Sequence, residues 1–210
     1  MKGSLAYLKG ALADGHVYDL NSRIRIVLRQ KERNWLEYVI GPILKEISGK
    51  EPRIIRTSDN VHMIYVYIHK NNLKQEMVKF LLNNLNKVKF NDISDEIKFV
   101  RGFFDAEGSL YNSKKKNDKR IIMYQKHKEV LEYIREILKK INIPSKVYGP
   151  YKNGKNYIYR LIVFTKKNVE KFLKEIKPSN KSKFRIVVSA RKRNALSWPL
   201  VNRLSIGNAG

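Results

Sequence analysis

Arg25-Ile26-Val27-Leu28-Arg29-Gln30-Lys31, with Leu36-Glu37-Tyr38-Val39 close behind, recurs ninety-five positions later. The second copy reads Arg120-Ile121-Ile122-Met123-Tyr124-Gln125-Lys126, then Leu131-Glu132-Tyr133-Ile134. Seven positions are identical at that one offset: an Arg, Ile, Gln, Lys, Leu, Glu and Tyr. A repeat at fixed offset means that one module occurs twice. Two copies of so long a unit are too few for a solenoid, so the expected geometry is a pseudo-dimer within one chain.

Working outward, the first half reads as a small-residue helix over 4–13, then strands over 17–18 and 23–29 around an Asp19-Leu20-Asn21-Ser22 turn. Helical periodicity over 32–48 ends at Gly49, with Pro42 expected to bend or break it. Strands over 53–57 and 61–69 and a helix over 74–85 complete the half. The second half repeats this order: helix 95–106, strands 109–112 and 120–126, helix 128–141, strands 146–151 and 157–165, helix 168–176. A distal match supports the repeat, with Ile68, Lys70 and Asn72 corresponding to Phe164, Lys166 and Asn168 at an offset of 96. The expected fold class is α+β. It consists of two pseudo-symmetric α-ββ-α-ββ-α repeats, 4–90 and 95–177, each an antiparallel sheet with helices on one face. Residues 178–210 read as a basic extension containing Lys181-Ser182-Lys183-Phe184-Arg185 and Arg191-Lys192-Arg193. Its Trp198-Pro199 is placed to dock on the body.

The 210 residues carry 44 Lys plus Arg against 19 Asp plus Glu, a formal charge of +25. Self-repulsion on that scale points to a polyanionic partner, and basic residues interleaved with aromatics point to nucleic acid. The absence of cysteine excludes disulfides and cysteine-ligated zinc. His16, His62, His69 and His127 have no zinc-like spacing. There is no 18-residue apolar run and no secretory layout in residues 1–15. The expectation is a monomer with no membrane partner, cytoplasmic and associated with the nucleoid, with an organellar origin left open.

The opening helix of each half ends alike, Ala13-Asp14-Gly15 and Ala106-Glu107-Gly108. Upstream, Gly3, Ala6, Gly10 and Ala13 form one helical stripe, and Phe99, Gly102 and Ala106 form another. Small residues on one face allow two helix backbones to approach closely. Packed together, the stripes would bring Asp14 and Glu107 side by side, and the following glycines suit a left-handed exit from the helix. Either acid alone would be an ordinary helix-ending residue. Together, at the negative end of two helix dipoles, they repel one another and call for a divalent cation. Hard oxygen ligands beside phosphate oxygens suit Mg²⁺.

The stretch Val100-Arg101-Gly102-Phe103-Phe104-Asp105-Ala106-Glu107-Gly108 resembles the nine-residue signature of the LAGLIDADG homing endonucleases. Leu5-Ala6-Tyr7-Leu8-Lys9-Gly10-Ala11-Leu12-Ala13-Asp14-Gly15 resembles it less closely. Gly10 stands five positions before Gly15, where Gly102 stands six before Gly108. The resemblance implies that the two motif helices pack at the core and that two saddle-shaped sheets lie in the DNA major groove. It implies metal held at Asp14 and Glu107 with the adjoining Ala13 and Ala106, supplied as Mg²⁺ or Mn²⁺ with Ca²⁺ as a non-catalytic substitute. Lys31 and Lys126, ending the duplicated strands, would lie near the acids and stabilise developing charge. Gln30 and Gln125 would orient water.

Alternation puts Arg23, Arg25, Val27, Arg29 and Lys31 on one side of the first repeated strand, with Ile24, Ile26 and Leu28 opposite. In the second copy Arg120, Ile122, Tyr124 and Lys126 face outward. An antiparallel ribbon with arginines at alternate positions can enter a major groove and contact guanine. The DNA-contacting set expected on this basis adds Arg53, Arg56, Tyr65, Tyr67, Lys146, Tyr148 and Arg160 on other strands, with Lys114 and Lys116 as loop contacts to phosphate. The expected function is metal-dependent hydrolysis of both strands of a long, near-asymmetric double-stranded DNA site. An intron-RNA-binding maturase on the same fold is the alternative.

Overall fold

The computed structural model describes residues 3–113, 118–154 and 156–184. Lys114, Lys116, Arg191-Lys192-Arg193 and Trp198-Pro199 lie outside the described residues. The chain opens with α1 (Gly3–Ala11) and a 3-10 turn (Leu12–Asp14), followed by β1 (Gly15–Leu20) and β2 (Arg23–Gln30). α2 (Arg33–Trp35), a π-turn (Leu36–Ile40) and α3 (Gly41–Ser48) follow, then β3 (Arg53–Arg56), β4 (His62–His69) and α4 (Gln75–Leu82). The second repeat consists of α5 (Ile93–Glu107), β5 (Gly108–Ser113), β6 (Asp118–Gln125), α6 (Lys128–Lys140), β7 (Ser145–Asn153), β8 (Asn156–Val163) and α7 (Lys166–Ile176).

The two sheets share one topology, β1-β2-β4-β3 and β5-β6-β8-β7, antiparallel throughout. The duplicated strands β2 and β6 are thus equivalent, as the repeat predicts. Period-two alternation buries Ile24, Ile26 and Leu28 with Ile64, Val66 and Ile68 beneath Leu36, Ile40 and Leu44. In the second half Ile121, Met123, Leu161 and Val163 lie beneath Val130, Leu131, Ile134 and Phe172. Helices therefore cover one face of each sheet and leave the other open.

Three local expectations are corrected. Pro42 does not break its helix, which runs on to Ser48. The Gly41 N–H reaches back five residues to the Leu36 carbonyl, and this wider turn makes room ahead of the proline ring. The helix stops instead at Gly49, whose φ of 66° is left-handed. The offset of 96 for the distal match is not the structural one. Leu28 pairs with Ile64 and Met123 with Leu161, so β4 and β8 correspond at 97. A one-residue slip exchanges sheet faces: Ile68 is in the core, whereas Phe164 stacks on Tyr148 and under the Arg120 guanidinium. Third, the first motif helix is two elements, α1 and a 3-10 turn, whereas α5 is α-helical through Glu107.

That last difference absorbs the missing residue between Gly10 and Asp14. Three residues wound at about 2.0 Å and one at about 1.5 Å cover nearly the same axial distance, ~7.5 Å, as five α-helical residues. Both acids emerge at one end of the helix pair despite the unequal spacing.

Candidate functional site

α1 and α5 pack backbone to backbone at Gly10 and Gly102. A Cβ on Gly10 would fall 2.0 Å from the Phe99 carbonyl oxygen, and one on Gly102 2.0 Å from that of Tyr7. The glycines after the acids serve the same need for space and not the left-handed exit expected of them. Gly15 has φ −142° and Gly108 φ −85°, both open to other residues. A Cβ on Gly15 would lie 2.7 Å from the Val27 carbonyl oxygen, and one on Gly108 2.5 Å from that of Phe104.

Asp14 and Glu107 are close enough for the charge on Asp14 to bear on Glu107. Burial, then the Asp14 charge, pushes the Glu107 carboxyl up to about 7, with Lys183 opposing. Asp14 is also raised, by desolvation, against the pull of Lys183, the Gln30 hydrogen bond and Arg29. Gln30 Nε2 donates to Asp14 Oδ2 and, at 3.2 Å, to the Ala106 carbonyl oxygen. Lys183 Nζ donates to that same carbonyl at 2.7 Å. Ala13 packs against both cores.

The segment that delivers Lys183 is anchored on Asp105, which is fully buried. Asp105 accepts from Tyr7 Oη at 2.6 Å, from the Ser179 N–H at 3.0 and 2.9 Å, and from the Asn180 N–H at 2.9 Å. Asn180 Nδ2 donates to the Asp105 carbonyl at 2.9 Å. Burial still raises the Asp105 carboxyl, with these bonds opposing it. Tyr7 also accepts from Trp35 Nε1 at 2.8 Å, joining the π-turn region to the motif helices.

Of the strand-end residues expected at the acids, only Gln30 arrives. Lys31 and Lys126 are exposed, and neither forms a hydrogen bond or ion pair with Asp14 or Glu107 among the described residues. Gln125 Oε1 accepts the Lys126 N–H at 2.7 Å, so this side chain turns away from the position Gln30 takes in the first half. Among the described residues, the cation that acts on both acids is Lys183. Sequence reasoning passed over it as part of a basic extension, and the one available signal was its closeness in sequence to a helix end that must turn back toward the body.

The oxygen set fits a hard divalent cation: two carboxylates and the Ala106 carbonyl, with burial and mutual repulsion disfavouring the charged carboxylates. Among the described residues no cluster of three His, Asp or Glu side chains can hold a metal unaided. Water and phosphate oxygens would complete the shell, as is usual for Mg²⁺.

The Glu107 shift has a measurable consequence for the ion-free protein. The folded state keeps the Glu107 proton to about pH 7, whereas the unfolded chain releases it near 4.5. Folding stability therefore falls as pH rises between those values. Glu107→Gln is expected to raise the melting temperature at pH 8 in chelator, and the advantage should shrink toward pH 4.5. An unchanged difference between the two pH values would count against it.

The open sheet faces carry the other expected residues. On the first, Arg25 lies between Tyr18 and Tyr67 in the ladder, its guanidinium 4.9 Å from the Tyr65 ring and 5.4 Å from that of Tyr67. Arg23 stacks on Tyr67, and Arg53 pairs in register with Tyr65. Arg29 shares the face but is paired with Asp59 at 3.2 Å. Arg56 has the opposite parity to Arg53 and bonds Asn60 Oδ1 at 2.9 Å, because residues three apart on a strand point to different faces. On the second sheet Tyr124, Arg160 and Tyr148 lie side by side across three strands, with Lys146 on the same face. The Arg160 guanidinium lies 4.5 Å from the Tyr151 ring. Arg120 is paired with Asp118 at 2.7 Å. The Nε atoms of Arg25 and Arg160 are shielded from solvent without a hydrogen-bond partner.

Two equivalent four-stranded sheets joined by a helix pair, with an acid from each half at its end, define a two-repeat α+β protein with one shared site. Residues 94–177 match the family described as LAGLIDADG-like domain. That match covers the second repeat, and the chain as a whole shares its fold with solved LAGLIDADG proteins. The homing endonuclease I-ApeI of Aeropyrum pernix is 26% identical over 179 residues, covering 80% of this chain and 78% of the relative. A structure of mesophilic variants of the homing endonuclease I-DmoI superposes with a TM-score of 0.61 at 22% identity, covering 83% of this chain and 94% of that one. Full-length DUF199/WhiA from Thermatoga maritima superposes with a TM-score of 0.60 at 18% identity, covering 85% of this chain and 56% of that one. Among the described residues no helix is long and apolar enough to cross a membrane.

Proposed function

We propose that the protein is a site-specific endonuclease of the homing type, which binds a long double-stranded DNA site and hydrolyses one phosphodiester on each strand. The observation that carries this reading is the pair of acids from the two repeats, set at the end of the helix pair between two basic, aromatic-lined sheet faces. The I-ApeI relationship supports it, as do solved complexes of I-DmoI with DNA and Mn or Ca and of an I-DmoI variant with its target DNA and Mg. Asp14, Glu107 and the Ala106 carbonyl would hold a divalent cation, Mg²⁺ or Mn²⁺, which would supply Lewis-acid charge at the phosphodiester and make water a better nucleophile. Gln30 holds the Asp14 carboxylate in place and ties it to the opposite repeat through Ala106. The sheets set the register of the duplex, and two unequal halves suit a non-palindromic site. The arranged acids favour cleavage over the maturase alternative, for which no carboxylate pair is needed.

The test is incubation with Mg²⁺ and a randomised plasmid library, followed by sequencing of the cut ends. Recurrent paired ends that vanish with Asp14→Asn are expected. Ends scattered without sequence preference, or identical with that variant, would defeat the proposal.

Arg25 is proposed as a base-reading residue, because tyrosines hold its guanidinium on the open sheet face. Arg25→Ala should weaken binding to the selected site by about 1–3 kcal/mol while barely changing affinity for random DNA. Equal losses on both DNAs, read by competition titration at fixed salt, would reduce Arg25 to a phosphate contact.

A further inference from the structure

Lys183 takes up a position that the acid pair would otherwise offer to a divalent cation. Its ammonium donates to the Ala106 carbonyl, the main-chain oxygen that joins the two carboxylates in the hard-oxygen set, and it lies within electrostatic reach of both acids. The placement is built into the fold. α7 ends with a left-handed Lys177, and the chain then returns to α5, where the N–H groups of Ser179 and Asn180 close on the buried Asp105 carboxylate. Asn180, itself buried, bonds the Asp105 carbonyl, and its side-chain oxygen accepts from the Ser182 N–H at 3.2 Å and Oγ at 2.7 Å. Three residues beyond Asn180, the ammonium has little choice of destination.

Resting on the reading of the acids as a metal site, we infer that Lys183 is a built-in counter-cation, holding the divalent-ion position in the free protein and yielding it when DNA phosphate enters. An ammonium and a divalent ion cannot share one carbonyl oxygen between two carboxylates without strong repulsion. The DNA backbone offers the displaced ammonium a new anionic partner and offers the ion further oxygen ligands. Ion loading is thereby coupled to DNA binding, and the free protein is kept from carrying a charged site in search of substrate.

Mn²⁺ binding to the full chain without DNA, followed by electron paramagnetic resonance at constant pH, tests the idea without reference to activity. Lys183→Met should bind Mn²⁺ about tenfold more tightly or better than the parent, the scale of one lost charge-assisted hydrogen bond. Lys183→Arg, which keeps the charge, should stay near the parent. Should Lys183→Met fail to fold, Ser179→Pro removes one N–H donated to Asp105 while keeping the acids and the lysine, and should also raise the affinity. Equal or weaker Mn²⁺ binding in the folded Lys183→Met or Ser179→Pro protein overturns the inference but leaves the acid pair a metal site. Absence of any Mn²⁺ binding that Glu107→Gln can abolish overturns both.

Discussion

Asp14→Asn and Glu107→Gln are each expected to lower double-strand cleavage by at least about 10³-fold, beyond the 10²–10³ typically lost with a single electrostatic donor. Each substitution removes a formal charge from the oxygen set while preserving shape. Affinity for the DNA site should hold or rise, because each variant also removes a negative charge facing phosphate. The two changes should not multiply: the acids act on one site, so the double variant should cut no more slowly than the slower single one. Rates from single-turnover cleavage and affinities from titration separate these effects. Normal cutting of both strands by either variant would show that the chemistry resides elsewhere.

Gly102→Ala should be among the most damaging substitutions to stability. The added carbon would lie 2.0 Å from the Tyr7 carbonyl oxygen and 2.9 Å from the Ala11 nitrogen. Both are backbone atoms, so no side chain can rotate away, and the helices must part by about 1 Å or more to relieve the closer contact. Overpacking commonly costs about 1–3 kcal/mol, and a backbone collision belongs at or above the top of that range. Gly10→Ala meets the mirror-image contact with Phe99 and should behave alike. Both should lower the urea midpoint by amounts corresponding to ~3 kcal/mol, and the parted helices should also misplace Asp14 relative to Glu107. A midpoint within experimental error of the parent would refute the backbone-to-backbone description of the pair.

The fold was legible because its determinants are local and repeated. Alternation from Arg23 to Arg29 and helical periodicity from Leu131 to Leu138 each name an element and its buried face. Their duplication then implies the pseudo-dimer without any knowledge of tertiary contacts. Failures occurred where one residue of slippage matters. The chance match of Ile68 with Phe164 paired a core residue with one on the open face, and Arg53 and Arg56, both expected as DNA contacts, have opposite parity on β3.

The candidate site was legible in part for the same reason. Asp14, Glu107 and Gln30 sit at ends of repeated elements, and symmetry brings two such ends together. Lys183 has no counterpart in the first repeat and no periodic pattern to announce it. It reaches Ala106 because one buried carboxylate, Asp105, collects the N–H groups of a segment more than seventy residues away in the chain. A carboxylate excluded from water must find donors or lose its charge, and here Tyr7 on the first helix and the N–H groups just past the last one supply them.

From the amino-acid sequence alone followed the two repeats, the order of their elements, the open basic faces and the pair of acids. Each is written in residue spacing that a reader can count. Only the tertiary structure decided which cation faces those acids, why glycine follows them, and how a 3-10 turn levels two helices of unequal length. Those outcomes depend on where main-chain atoms collide and which buried charge must be satisfied, and distant parts of the chain settle both.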